Sequence, residues 1–201
     1  LTGAGRAFCA GSDLREAGGL RGADASRYVE LDFEAKNRVA GLGKPVVAAV
    51  HGYCVGGGLE LALACDVRIA ADNAVFGLPE ISLGTIPGSG GLQRLPRIVG
   101  LGFAKEWALS GRNIDSAEAA RTGLVNDVVS LERLPEAARE MARTFAARNP
   151  TALRYAKAAL DPEPPSRWGL VAAYHGLASR ACHDQPEYGR QTKAFAGEES
   201  S

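Results

Sequence analysis

The spacing of hydrophobic positions divides the chain into short apolar runs and longer helical stretches. Val46-Val47-Ala48-Ala49-Val50 is a continuous apolar run between Pro45 and Gly52, which predicts a strand buried on both faces. The glycine-rich stretch His51-Gly52-Tyr53-Cys54-Val55-Gly56-Gly57-Gly58 then turns the chain into Leu59-Glu60-Leu61-Ala62-Leu63-Ala64, a strong helix former. Residues 67–71 predict another strand, and Val75-Phe76-Gly77 a further short one before Pro79, so a βαβ rhythm repeats. Upstream, Tyr28, Leu31, Phe33, Val39 and Leu42 recur among charged residues and predict an amphipathic helix over 24–42 that ends at Gly41 or Gly43. Asp13 stands three residues before Glu16, a capping-box spacing that predicts a helix start near Asp13.

The chain opens Leu1-Thr2-Gly3-Ala4-Gly5-Arg6, the end of a strand entering a glycine-rich turn. It has no initiator Met, as though a strand were cut just before its turn. After Gly91 the pattern is helical over 92–99, 103–110 and, past the Gly111 stop, 114–123. Residues 124–129 return to strand, and beyond Leu134 the chain reads as helix with a break at Pro162-Glu163-Pro164-Pro165. These elements predict an α/β body over residues 1–130 and a helical segment over 131–201. The segment's modest apolar content predicts that it packs on a partner subunit.

Composition narrows the function classes. With 46% hydrophobic and 23% charged residues the chain is expected to fold as an ordinary soluble protein. Lys and Arg together number 23, as do Asp and Glu, so no global positive field gathers nucleic acid or an anionic membrane, and neither is expected as a partner. No apolar run approaches the roughly 20 residues that span a bilayer. Cys9, Cys54, Cys65 and Cys182 form no CxxC pair and follow no secretory leader, which predicts a reducing cytoplasm. His51, His175 and His183 form no HExxH or similar pair, so no metal site is expected.

Three segments could carry chemistry. Gly56-Gly57-Gly58-Leu59-Glu60 places a glycine turn directly ahead of a helix. Backbone N–H groups there can approach a ligand without a Cβ in the way, and the helix start adds partial positive charge, as an oxyanion hole requires. Locally it is equally a tight turn with Glu60 complementing the helix dipole. Ala10-Gly11-Ser12-Asp13 also opens onto a helix, and its Ser12 N–H is either a second donor for the same oxygen or part of an ordinary capped start. Glu80, after Pro79 in apolar surroundings, is either a common Pro-Glu helix opening or a carboxyl whose burial lets it exchange a proton near neutrality. The chain has no GxxxxGK[ST] loop, GxSxG elbow or complete GxGxxG. Arg94, Arg97 and Lys105 lie at helical spacing and predict a solvated face, and His51 is expected to be a hydrogen-bonded structural histidine.

In order and spacing, five blocks resemble the enoyl-CoA hydratase/isomerase (crotonase) family. They are Gly5-Arg6-Ala7-Phe8-Cys9-Ala10-Gly11-Ser12-Asp13-Leu14, Lys44-Pro45-Val46-Val47-Ala48-Ala49-Val50, and Gly56-Gly57-Gly58-Leu59-Glu60-Leu61-Ala62-Leu63-Ala64-Cys65-Asp66, followed by Phe76-Gly77-Leu78-Pro79-Glu80 and Leu83-Gly84-Thr85-Ile86-Pro87-Gly88-Ser89-Gly90-Gly91. The resemblance, over residues 1 to about 160, implies a spiral of ββα turns with a helical C-terminal segment that assembles homotrimers or hexamers. It implies an acyl-CoA thioester as ligand, with coenzyme A part of the substrate and no separate cofactor. The thioester oxygen would accept from the N–H groups of Ser12 and Gly57. Ala10, Asp13, Leu14, Gly56, Pro79 and Gly88 would line the substrate site.

Members that hydrate enoyl-CoA resemble this chain in carrying two glutamates, at Glu60 and Glu80. Glu60 is then expected to activate the water that attacks C3, and Glu80 to deliver a proton to C2. A Δ3,Δ2-enoyl-CoA isomerase, which shuttles one proton, and a catalytically silent crotonase-fold scaffold are the competing expectations. Two departures stand out. The family's N-terminal strands, with part of the adenosine-binding surface, are absent from this chain. The closing Lys193-Ala194-Phe195-Ala196-Gly197-Glu198-Glu199 is acidic where members commonly place basic residues.

Overall fold

The chain winds between two small sheets, placing one strand in each on every turn. This computed structural model describes residues 1–160 and, beyond them, residues 174, 177, 178, 180, 181, 184, 188, 190, 193 and 194. The expected break at 162–165, Cys182 and most of the acidic close lie outside the described residues.

Strands β1 (Val47–Val50), β3 (Val67–Ala71) and β6 (Asp127–Val129) form one parallel sheet in the order β1-β3-β6. Strands β2 (Tyr53–Val55), β4 (Val75–Gly77) and β5 (Ile114–Asp115) form the other in the order β2-β4-β5, with β2 and β4 parallel and β5 antiparallel. Between β1 and β2 the backbone bends at Gly52, where φ is 54° and a methyl group would stand 2.3 Å from the Arg6 carbonyl oxygen; only glycine fits both conditions. The opening residues repeat the winding. The Leu1 amino group donates to the Val47 carbonyl (2.8 Å), and Phe8 and Cys9 N–H donate to the carbonyls of His51 (2.8 Å) and Tyr53 (3.1 Å).

Helices fill the spaces between turns. They are α1 (Leu14–Gly19), α2 (Gly22–Ala40), α3 (Gly57–Leu63), α4 (Gly91–Ser110), α5 (Ser116–Arg121), α6 (Leu134–Ala146) and α7 (Pro150–Leu160), with a 3-10 turn over Pro79–Leu83. Asp13 caps α1 by accepting from Arg15 N–H at 2.9 Å, and α2 ends at Gly41 as its glycines predict. The two helical stretches expected around residue 100 are the halves of α4, which kinks at Gly100 (φ 80°, ψ 158°). The expected helix over 114–123 begins instead as β5, because Ile114 and Asp115 pair with Phe76 and Val75 on the free edge of β4 before Asp115 caps α5. The inner face of α2 is Ala25, Val29, Phe33 and Lys36, whereas Leu31 and Leu42 point outward.

The main core gathers Trp107, Phe76, Leu59, Leu78, Leu95, Ile114 and Leu124 around the second sheet and helices α3–α5. A second cluster packs Leu134 and the apolar face of α6 against Val47, Ala49 and Ile69. Arg68 on β3 is buried within this frame. Its Nε donates to the Leu124 carbonyl (2.7 Å), and one Nη donates to the carbonyls of Cys65 (2.9 Å) and Ala62 (3.2 Å) at the end of α3. The guanidinium thereby satisfies buried acceptors and places a cation at a helix C-terminus. Replacing it with Met takes the guanidinium donors from the buried Leu124 and Cys65 carbonyls, so Arg68→Met is expected to cost about 3 kcal/mol and to lower the calorimetric Tm by about 6–12 °C.

Candidate active site

The site is built from the glycine turns that end successive turns of the winding. Gly56 precedes α3 with φ 56° and ψ −130°, a conformation that disfavours any side chain. Its N–H donates to the Gly77 carbonyl at 2.9 Å, joining the α3 start to the segment that leads into Glu80. Gly57 opens α3, so its N–H is among the helix-start donors that have no acceptor within the helix. Gly11, with φ 92°, lies against the same place: a methyl group there would stand 3.2 Å from Gly57 N and 3.1 Å from the Val55 carbonyl oxygen. Two glycine turns far apart in sequence therefore meet, with Ser12 immediately beyond the contact. Ala10, Ser12 and Asp13 are exposed, Leu14 and Pro79 are half-buried, and Gly88 packs against Val29.

Glu60, one turn into α3, is 2% exposed. Its Oε1 accepts from Ser89 N–H (2.7 Å) and Gly91 N–H (2.9 Å) in the loop ahead of α4. The loop can come this close because Gly91 lacks a side chain; a methyl group would stand 3.0 Å from that same oxygen. Burial pushes the Glu60 carboxyl up on balance, against the pull of the Lys36 ammonium and the two N–H donors, and the Asp32 charge adds to the rise.

Glu80 sits in the 3-10 turn with Oε1 against Gly56, where a methyl group would stand 3.1 Å away. Its Oε2 is buried and, among the described residues, has no hydrogen-bond partner. Burial, and then the negative charge of Glu60, push the Glu80 carboxyl up to about 8. At neutral pH it therefore keeps its proton. The site thus offers one carboxyl oriented by two donors and one with raised proton affinity whose Oε2 has no hydrogen-bond partner among the described residues.

A network not expected from the sequence surrounds Glu60. Lys36 is buried and its Nζ bonds Asp32 Oδ2, and Ser89 Oγ donates to the same oxygen. Arg94 is also buried, against the expectation of a solvated face; its guanidinium donates to the Ser89 carbonyl (3.2 Å) and to Asn37 Oδ1 (2.5 Å). Helical periodicity places Arg94 correctly but does not show that its arm folds back over the α4 start, whereas Arg97 and Lys105 are exposed as expected. His51 hydrogen-bonds the Gly5 carbonyl oxygen through Nε2 at 3.0 Å. A cavity of about 930 Å³ lies elsewhere, between β1 and helices α6 and α7, lined by Val47, Ala49, Leu134, Ala138, Phe145 and Leu153 among others, and none of the site residues lines it. The two buried carboxyls lie instead beside the Gly56 turn and the Ser89–Gly91 segment.

A sequence-family model described as enoyl-CoA hydratase/isomerase matches residues 1–167. The chain is 46% identical over 154 residues to a probable mitochondrial enoyl-CoA hydratase 2 of Arabidopsis thaliana, covering 77% of this chain and 51% of that protein. It is 43% identical over 162 residues to a short-chain-enoyl-CoA hydratase of Clostridium acetobutylicum, covering 80% and 62%. The chain thus spans less than two thirds of the length of these curated relatives. A crystal structure of an enoyl-CoA hydratase from Bacillus anthracis superposes with a TM-score of 0.78 at 40% identity, covering 98% of this chain and 77% of the other. The crotonase fold follows from these matches.

The raised Glu80 carboxyl has a consequence for stability. A carboxyl held higher in the folded than in the unfolded chain favours folding most fully below its ordinary value of 4.5, and that contribution is lost as pH rises through about 8. Glu80→Gln removes this loss. Its Tm gain over wild type is expected to be at least about 4 °C larger at pH 8 than at pH 5 in parallel thermal melts. An equal gain at both pH values would mean that Glu80 ionises normally.

Proposed function

The chain belongs to the enoyl-CoA hydratase/isomerase family, and on that basis we propose that it is an enoyl-CoA hydratase, adding water across the 2,3 double bond of an acyl-CoA thioester. The observation that carries this reading is the unequal pair of buried carboxyls. Glu60 is oriented by two N–H groups and faces a cation, while the Glu80 carboxyl is pushed up to about 8 and its Oε2 has no partner among the described residues. Hydration needs both states at once, a base for water and an acid for carbon.

In this mechanism the thioester oxygen accepts from Ser12 and Gly57 N–H, which stabilise the negative charge that develops as the double bond is broken. Glu60 takes a proton from water while the water oxygen bonds to C3. The π electrons shift toward the carbonyl, and C2 takes the proton of Glu80. Water is added without net loss or gain of a proton, because Glu60 ends protonated and Glu80 ionised. Proton exchange between the pair or with solvent restores the starting state. Gly56, Pro79 and Gly88 shape the cleft, and Ala10, Asp13 and Leu14 border its outer side.

We further infer that the protein acts in the cytoplasm as a homotrimer or hexamer and uses no cofactor beyond the coenzyme A of its substrate. Free thiols at Cys9, Cys54 and Cys65 support a reducing compartment. Exposed apolar side chains on α4 and α7, with Leu109 71% and Leu160 81% exposed, support assembly. Among the described residues no helix is long and apolar enough to cross a membrane.

The test follows loss of the conjugated enoyl-thioester absorbance with crotonyl-CoA and longer or aryl enoyl-CoAs. Wild type is expected to hydrate at least one of them, with kcat/KM falling above about pH 8 as Glu80 ionises. Glu60→Gln and Glu80→Gln are each expected to lower kcat by at least about 10³-fold with little change in KM. Migration of a 3-enoyl double bond that survives Glu60→Gln would overturn the assignment in favour of an isomerase. Acyl-CoA binding without turnover by wild type would make the protein a silent crotonase-fold binder.

A further inference from the structure

We propose that the Lys36–Asp32 pair of α2 is a positioning element for the reaction, tying the loop that orients Glu60 to α2 and setting a fixed cation beside that carboxyl. The purpose assigned to it rests on the hydratase reading, but its effect on Glu60 does not require turnover.

Lys36 lies on the inner face of α2 in line with Ala25, Val29 and Phe33, and Asp32 stands one turn before it at the edge of that face. A Leu or Met at position 36 would continue that apolar stripe without the penalty of burying a charge. Lys36 is nonetheless 4% exposed, with its ammonium bonded to Asp32 Oδ2. The same Asp32 oxygen accepts from Ser89 Oγ, and Ser89 N–H donates to Glu60 Oε1 at 2.7 Å. One continuous hydrogen-bonded path therefore runs from the ammonium of α2 to the carboxyl of α3. Arg94 strengthens the same tie by joining the Ser89 carbonyl to Asn37, one residue after Lys36.

The pair also touches the other half of the site. A methyl group at Gly57 would stand 3.4 Å from Lys36 Nζ and 3.8 Å from Asp32 Oδ2, so the ion pair packs directly against the start of α3. A rigid link from α2 to both the Gly57 turn and the Ser89–Gly91 loop fixes the base relative to the helix-start donors. Small errors in that spacing are costly for a reaction that depends on orientation.

The charged groups facing Glu60 come from two elements besides its own helix. Lys36 and Asp32 approach from α2, and Glu80 approaches from the 3-10 turn, while Ser89 and Gly91 contribute neutral N–H donors. Lys36 favours the ionised form of Glu60 and Asp32 opposes it. Removing the two charges one at a time must therefore displace the titration of Glu60 in opposite directions.

The experiment is a carbon-detected NMR titration of the Glu side-chain carboxyls in wild type, Lys36→Met and Asp32→Asn, with the Glu60 signal assigned by Glu60→Gln. Lys36→Met is expected to move the Glu60 midpoint upward and Asp32→Asn to move it downward. In turnover, Lys36→Met is expected to lower kcat at pH 6.5 by about tenfold, with recovery as pH rises and KM within about twofold of wild type. Midpoints unchanged in both variants, or displaced in the same direction in both, would overturn the proposal and leave the pair as a structural contact. Wild type that fails to hydrate any enoyl-CoA while the two midpoints move apart would sink the hydratase reading and leave this inference standing.

Discussion

A carboxyl taken out of water has to be met by donors or give up its charge, and this condition at Glu60 organises much of what surrounds it. At 2% exposure the side chain has little access to solvent, and its Oε1 is served by the N–H groups of Ser89 and Gly91. Those two groups can point at one oxygen only because the loop between Gly88 and Gly91 folds tightly, with Gly90 at φ 97°. The loop in turn is pinned by Asp32 through the Ser89 hydroxyl and by Arg94 through the Ser89 carbonyl. Helix α2, remote in sequence from both glutamates, is thereby bound into the site.

The winding between two sheets delivers the rest. Strands β2 and β4 of the second sheet give way to Gly56 and, past Leu78, to Pro79, and the segment that bridges β2 at Cys9 runs likewise into Gly11. Parallel stacking of β2 on β4 brings these ends into one line. That is why Gly11 can rest against Gly57 N and why Gly56 can rest against Glu80 Oε1. Arg68 braces the other end of α3, where its guanidinium ties the last carbonyls of the helix to Leu124. The helix that carries Glu60 is thus held at both ends by contacts from distant segments.

The arrangement opposes stability in part. Burial, and then the charge of the neighbouring Glu60, lift the Glu80 carboxyl to about 8, so the two carboxyls resist ionising together. A folded chain with no task would exchange one of them for an amide or a hydrocarbon. The buried Lys36 carries the same sign of compromise, a charge where the stripe of α2 otherwise runs apolar. Such compromises concentrate where proton affinities have to be set for chemistry near neutral pH.

Much of this was legible in the sequence. The apolar run at 46–50, the glycine turns at 11 and 56–58, the stop at Gly41 and the pair Glu60 and Glu80 are local signals, because steric freedom at glycine, capping and strand burial act over a few residues. The order of those blocks was enough to identify the family. The three-residue strand β2 and the two-residue strand β5 were not legible, since neither is long enough to show a period and each exists through pairing with β4. The burial of Lys36 and Arg94 was hidden for a related reason: a charged residue at helical spacing reads as solvated unless its partner is known, and the partners here, Asp32 with Ser89 and Asn37 with Ser89, converge from separate segments. The sequence by itself determined the family and the places of Glu60, Glu80 and the glycine turns, because residue types and spacing are local properties of the chain. Only the tertiary structure decided the unequal environments of the two glutamates, because desolvation and charge coupling depend on distances that no stretch of sequence contains.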